Sequence, residues 1–97
     1  MENKVTRKTA MKINTNTIME YFEDGGVVYV DAAESFYAVD RFGAEILKYI
    51  EANDSFIIEN MVEYFYQKYA VSKMELENDL LLFIIKLVEI GAVIIEE

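Results

Sequence analysis

The stretch Glu34-Ser35-Phe36-Tyr37-Ala38-Val39-Asp40-Arg41-Phe42-Gly43-Ala44 is where the chain changes its period. Phe36 to Val39 is a short apolar run of strand type, and it leads directly into Asp40, a residue that caps helices by accepting a main-chain N–H. Residues before this junction read as β, and residues after it read as helix. The pattern predicts an α+β fold: an N-terminal three-stranded antiparallel sheet followed by three helices.

Upstream of the junction, Ile18-Met19-Glu20-Tyr21-Phe22-Glu23, Asp24-Gly25-Gly26 and Val27-Val28-Tyr29-Val30-Asp31 read as a hairpin. Asp-Gly and Gly-Gly supply the positive φ angles of a type I′ turn, so the turn is expected at Asp24-Gly25 or Gly25-Gly26. Either choice places Met19, Tyr21, Val28 and Val30 on the core face. Ile18, Glu20, Phe22, Val27, Tyr29 and Asp31 then face outward. A second turn at Ala33-Glu34 would set Tyr37 opposite Val30 and Val39 opposite Val28, both facing inward. The third strand would keep an edge that nothing local pairs. It carries no Lys, no Pro and no bulge signal, the usual means of blocking such an edge, which marks it as an edge for use.

Downstream, Phe42, Ile46, Tyr49 and Ile50 share one face of a helix expected from Arg41 to Ala52. Ser55 is expected to cap a second helix, lined by Ile58, Met61, Val62, Phe65 and Tyr69 and closed at Ala70-Val71. Ser72-Lys73-Met74-Glu75 has the form of a capping box opening the longest helix, which runs to about Ile90 with Gly91 as its stop. On that helix Leu76, Leu80, Phe83, Ile84, Leu87 and Ile90 form a core stripe. Leu81, Ile85 and Val88 form a second stripe beside it, wider than a surface helix needs. The second stripe is expected to be covered either by the sheet or first helix, or by a ligand or partner. Ala92 to Ile95 reads as a short closing β segment.

Composition narrows the function. The 97 residues are one domain, 54% hydrophobic and 28% charged, with no cysteine and no histidine. Disulfides, thiolate chemistry and imidazole mechanisms are therefore excluded. No apolar signal core opens the chain, and the apolar run Leu80 to Ile95 is short and carries Lys86 and Glu89, so neither membrane insertion nor export is expected and a cytoplasmic protein is. The formal charge is −9, and four of the nine bases lie in the first twelve residues. Residues 1–13 read as a basic, flexible segment, and 14–97 as the folded domain. An acidic body repels polyphosphate, so nucleic acid is not an expected partner. Glycine spacing fits no phosphate loop, and the pairs Glu59/Glu63 and Glu75/Asp79 read as solvated faces rather than metal ligands. No catalytic constellation, metal site or cofactor is expected. The three helices have the order of a winged helix-turn-helix, but the last one carries Glu75, Glu77, Asp79 and Glu89 against Lys73 and Lys86 and offers no Arg to read guanine.

Taken together, the Asp-Gly-Gly hairpin, Val-Val-Tyr-Val-Asp, Phe-Tyr-Ala-Val-Asp-Arg-Phe-Gly-Ala-Glu-Ile-Leu and the closing Leu-Val-Glu-Ile-Gly-Ala-Val resemble the PqqD-like proteins. These are precursor-peptide recognition elements of ribosomally made, post-translationally modified peptide pathways. The likeness spans residues 14 to 95. Its most specific part is Tyr37 to Leu47, set against the pattern Tyr-x-Leu-Asn-x-x-Gly-Ala-x-Ile-Trp, with Val39 in place of Leu, Asp40 of Asn and Leu47 of Trp. The resemblance implies a winged helix-turn-helix without catalysis. It would bind a precursor's leader peptide as an added antiparallel strand on the third strand, against the last helix, and deliver it to a modifying enzyme or leader peptidase. The residues themselves point the same way. Phe36, Tyr37, Ala38 and Val39 offer main-chain hydrogen bonds, Asp40 fixes where the helical wall begins, and Leu81, Ile85 and Val88 are expected to line the pockets for leader side chains. Phe22, Val27 and Tyr29 on the outer face are expected to dock the enzyme or a second copy in a homodimer, unless residues 1–13 cover them. A winged-helix adaptor or transcription regulator is the alternative.

Overall fold

The structure, a computed structural model, describes residues 5–31 and 34–96. Its elements in chain order are β1 (Met11–Ile13), β2 (Thr17–Phe22), β3 (Gly25–Val30), β4 (Ser35–Asp40), α1 (Arg41–Glu51), α2 (Ile58–Tyr66), α3 (Lys73–Glu89) and β5 (Val93–Ile95). Strands β2, β3 and β4 form an antiparallel meander in that spatial order, while β1 and β5 pair as a separate two-stranded ribbon. The winged helix-turn-helix order, a three-stranded sheet followed by three helices, is the architecture expected from the sequence. Among the described residues, no helix is long and apolar enough to cross a membrane.

Local chemistry fixes the helix ends. Asp40 is extended and its carboxylate accepts the Gly43 N–H at 2.8 Å, so α1 begins where the strand stops. Ser72 Oγ accepts the Glu75 N–H at 3.1 Å and opens α3. At the other end Gly91, at φ +87°, donates to the Val88 carbonyl, and the Ala92 N–H reaches the Leu87 carbonyl. This is a Schellman stop, and only glycine takes that backbone conformation without cost. The second helix departs from expectation. It starts at Ile58 with no side-chain cap, because Phe56 instead bridges to Met11 and Ser55 Oγ bonds to Glu96 Oε1 at 2.5 Å. It also ends at Tyr66, where the Phe65 carbonyl accepts from both Lys68 and Tyr69 in a turn.

The faces of the sheet follow the sequence, but its registers do not. Phe22 pairs with Gly25, so the turn is Glu23-Asp24, and Gly25 and Gly26 lie within β3. Positive φ is not their purpose. A Cβ on Gly25 would collide with the Val39 carbonyl oxygen, and one on Gly26 would meet the Glu20 carbonyl oxygen at 2.8 Å. On the other side Tyr37 pairs with Val28 and Val39 with Gly26, two residues away from the expected partners. The connection spans residues 31–34, and the expected two-residue turn at Ala33-Glu34 falls partly outside the described residues. Every shift is by an even number of residues, so each side chain keeps its face.

The core lies between the sheet and the helices. Val28 and Val30 of β3, Ile46, Leu47 and Ile50 of α1, Ile58, Met61 and Phe65 of α2, and Leu80, Ile84 and Leu87 of α3 are all buried, and among the described residues no buried side chain is polar. Residues 5–13 correct the expectation of a flexible leading segment. Met11 is fully buried, Val5 is buried, and Met11–Ile13 pairs with Val93–Ile95. Residues 11–13 and 93–95 together close one side of the core, and burial of Met11 is worth about 2 kcal/mol, enough to hold the segment down. The bases at Arg7, Lys8 and Lys12 project from a docked segment; Lys4 lies outside the described residues.

Candidate functional site

Strand β4 lies at the edge of the meander, and among the described residues no strand pairs with its outer side. The Val39 carbonyl lies against Gly25, so the main-chain groups of Val39 and Tyr37 are directed at β3. Those groups alternate along a strand, so the N–H and C=O of Phe36 and Ala38 point away from the sheet. These are the donors and acceptors that an added strand would engage. Their own side chains are exposed on the outer face, whereas Tyr37 and Val39 are half-buried and face α3.

The wall across from β4 is built from one face of α3. Tyr37 and Phe83 have ring centroids 6.0 Å apart, and the Lys86 ammonium sits 5.8 Å from the Tyr37 centroid in a cation–π contact. Gly43 permits this closeness, since a Cβ there would stand 2.7 Å from Val39 Cβ and 3.1 Å from Phe83 Cε1. Asp79, Leu82, Phe83 and Lys86 fall at i, i+3, i+4, i+7 and so share a face. Leu82 is exposed on it although it is apolar.

This geometry corrects one expectation. Leu81, Ile85 and Val88 are half-buried on the other flank of α3, roughly 160° round the helix from Phe83, Lys86 and Ile90. Glu77, on the same flank as Leu81 and Val88, lies 3.9 Å from Arg7, so the N-terminal segment runs there and not β4. The structure therefore brings Phe36, Tyr37, Ala38, Val39 and Asp40 together with Phe83 and Lys86, and leaves Leu81, Ile85 and Val88 apart from them. Asp40 contributes through its cap, which spends its carboxylate on Gly43. Phe83 was hidden in the sequence because its spacing fits the core stripe. Leu82 carried a usable signal, an apolar residue that belongs to neither stripe.

The outer sheet face forms a second surface. Ile18, Tyr29 and Phe36 are neighbours across three strands, with Glu20, Val27 and Ala38 in the next row and Phe22 beyond. Phe22 and Phe36 are 59% and 70% exposed, so no described part of residues 1–13 covers them, and Val27 and Tyr29 are half-buried. Among the described residues no group of three or more acidic side chains is arranged to hold a metal ion.

No protein-family model and no curated protein matches the chain. Among solved structures it shares its fold with TbiB1, determined in complex with the TbiA(beta) leader peptide. The two superpose with a TM-score of 0.76 at 21% identity, over 84% of this chain and 93% of TbiB1.

Proposed function

We propose that this chain is a non-catalytic peptide-binding domain. It captures the leader of a ribosomally synthesised, post-translationally modified precursor peptide by strand addition and presents it to a modifying enzyme or leader peptidase. The observation that carries this reading is the open edge of β4 set beside the Tyr37–Phe83–Lys86 wall. A peptide placed there gains main-chain hydrogen bonds from Phe36 and Ala38, which ask little of its sequence. Its inward side chains meet Tyr37, Val39, Leu82 and Phe83, which do discriminate. The shared fold of TbiB1, a protein solved with a leader peptide, supports the same use. Ordering a disordered leader offsets part of the contact energy, so affinity in the roughly micromolar to nanomolar range is expected. In this reading the outer face, with Phe22, Val27 and Tyr29, docks the modifying enzyme or a second copy.

The test is a titration of isotope-labelled protein with candidate leaders, tracking backbone amides. Shifts centred on residues 36–40 and on the Asp79–Lys86 face of α3 are expected. Shifts restricted to the outer sheet face or to the β1–β5 ribbon would remove strand addition from consideration.

A further inference from the structure

The meander has a second edge, strand β2, which is paired with β3 on one side only. The Glu20 carbonyl lies against Gly26 of β3, whereas the Thr17 N–H turns the other way and donates to the Asn14 carbonyl at 3.0 Å. The main-chain groups of Ile18, Glu20 and Phe22 therefore serve the ladder, and those of Thr17, Met19 and Tyr21 point outward. Thr17 is occupied, its hydroxyl also donating to the Ala92 carbonyl at 3.3 Å. Among the described residues the main-chain N–H and C=O of Met19 and Tyr21 have no hydrogen-bond partner. We infer that β2 is a second strand-docking edge, which takes an extended segment of a partner protein carrying apolar, basic and apolar side chains in that order on one face. This edge is separate from β4, and the inference stands whatever β4 binds.

The surroundings of the edge fix the chemistry of its occupant. A strand added to β2 sets its side chains in the rows of Ile18, Glu20 and Phe22, and Ile18 and Phe22 are 54% and 59% exposed. From Ile13 to Asp40 the sequence holds Glu20, Glu23, Asp24, Asp31, Glu34 and Asp40, and no Lys or Arg. Lys48, on the inner side of the edge, already lies over the Tyr21 ring at 5.1 Å. The exposed Glu20 carboxylate in the middle row thus calls for Lys or Arg opposite it.

A second copy is the wrong occupant for the same reason. Two antiparallel β2 strands joined through Met19 and Tyr21 bring the two Glu20 carboxylates directly opposite each other, which is destabilising. Glu20 therefore bars self-pairing, the hazard of an open edge, and admits a basic strand. The free edge is closed at one end by the Thr17 contacts and at the other by the Glu23-Asp24 turn, leaving room for about five residues of partner. The two edges of the meander are about 10 Å apart, so both can be filled at once.

A cyclic β-hairpin peptide with one strand reading Val-Thr-Lys-Thr-Val is the probe, compared with a twin carrying Glu in place of Lys. Cyclisation removes most of the cost of ordering a free strand. Titrated into isotope-labelled Ala38→Pro protein, in which the β4 edge is blocked, the Lys hairpin is expected to shift the amides of residues 18–22 and to bind about tenfold more tightly than its twin. Glu20→Lys should reverse the order of the two hairpins, and N-methylation of both probe threonines should abolish the shifts. Equal binding of the two hairpins, shifts away from residues 18–22, or an order that Glu20→Lys leaves unchanged overturns the inference. So does a dimer of the protein alone that shifts the same amides, which would assign the edge to a second copy. Leader titration of Glu20→Lys keeps this edge apart from β4: shifts at residues 36–40 are expected as in the unmodified protein, and their absence in both proteins counts against the β4 reading alone.

Discussion

Tyr37 and Phe83 face each other across the β4–α3 cleft at 6.0 Å, a contact that identifies which flank of the last helix the sheet edge sees. Phe83→Ala is expected to weaken leader binding about tenfold, or about 1.4 kcal/mol, as measured by calorimetric titration. Leu81→Ala, Ile85→Ala and Val88→Ala should lower the unfolding midpoint and leave the affinity of the remaining folded protein unchanged. A reversed result, with affinity lost at Ile85 and kept at Phe83, would place the peptide on the opposite flank.

The edge of β4 allows a sharper substitution. Proline at Ala38 deletes one outward N–H and leaves the β3–β4 ladder intact, since an edge strand tolerates proline on its solvent side. Ala38→Pro should cost at least about tenfold in leader affinity with little loss of stability, whereas Val39→Pro should destabilise the sheet itself. Equal leader affinity for Ala38→Pro and the unmodified protein would show that these main-chain groups are not used.

The N-terminal segment is part of the core, and that is measurable. Met11 is 0% exposed, so Met11→Ala should lower stability by about 2–5 kcal/mol in chemical denaturation. Lys12→Ala, one residue away and exposed, should change it by less than about 0.5 kcal/mol. Loss of the same size at both positions would argue against the β1–β5 ribbon.

Tyr21 makes stability depend on alkaline pH. Its phenol donates to Glu51 Oε1 at 2.7 Å, and burial first, then that hydrogen bond and the carboxylate's charge, hold its pKa well above the ordinary 10.0. The folded state keeps this proton at a pH where the unfolded chain has released it. The contribution is therefore complete below about pH 10 and is lost as pH rises from there towards the folded-state value. Denaturation midpoints should fall above about pH 10, and Tyr21→Phe should flatten that fall. A smaller slope should remain from Tyr49, whose pKa burial and then Tyr64 also raise. An unchanged slope in Tyr21→Phe would exclude the Tyr21–Glu51 pair as its origin.

Features set by a few adjacent residues were legible in the sequence: the Asp40 and Ser72 caps, the Gly91 stop, the alternation of the sheet faces and the open edge at Phe36 to Val39. Features set by distant partners were not. The register moved because glycines at 25 and 26 read as turn formers, whereas they serve the close approach of the Val39 and Glu20 carbonyls. The two flanks of α3 are both apolar, and a helical wheel does not tell which one a sheet will lie against. Strand β1 was missed because three residues carry almost no periodic signal and their partner lies at the far end of the chain.

That pairing of first strand with last has a consequence for how the domain is made. Met11 sits opposite Ile95, the longest loop closure among the paired strands, while the β2–β3–β4 hairpins and the α2–α3 pair form from near neighbours. During synthesis the meander and its open edge can assemble early and Met11 can bridge to Phe56, but the β1–β5 ribbon cannot form until Val93 to Ile95 have emerged. The open edge of β4 thus belongs to the early, local part of folding, and closure of the core waits for Val93 to Ile95.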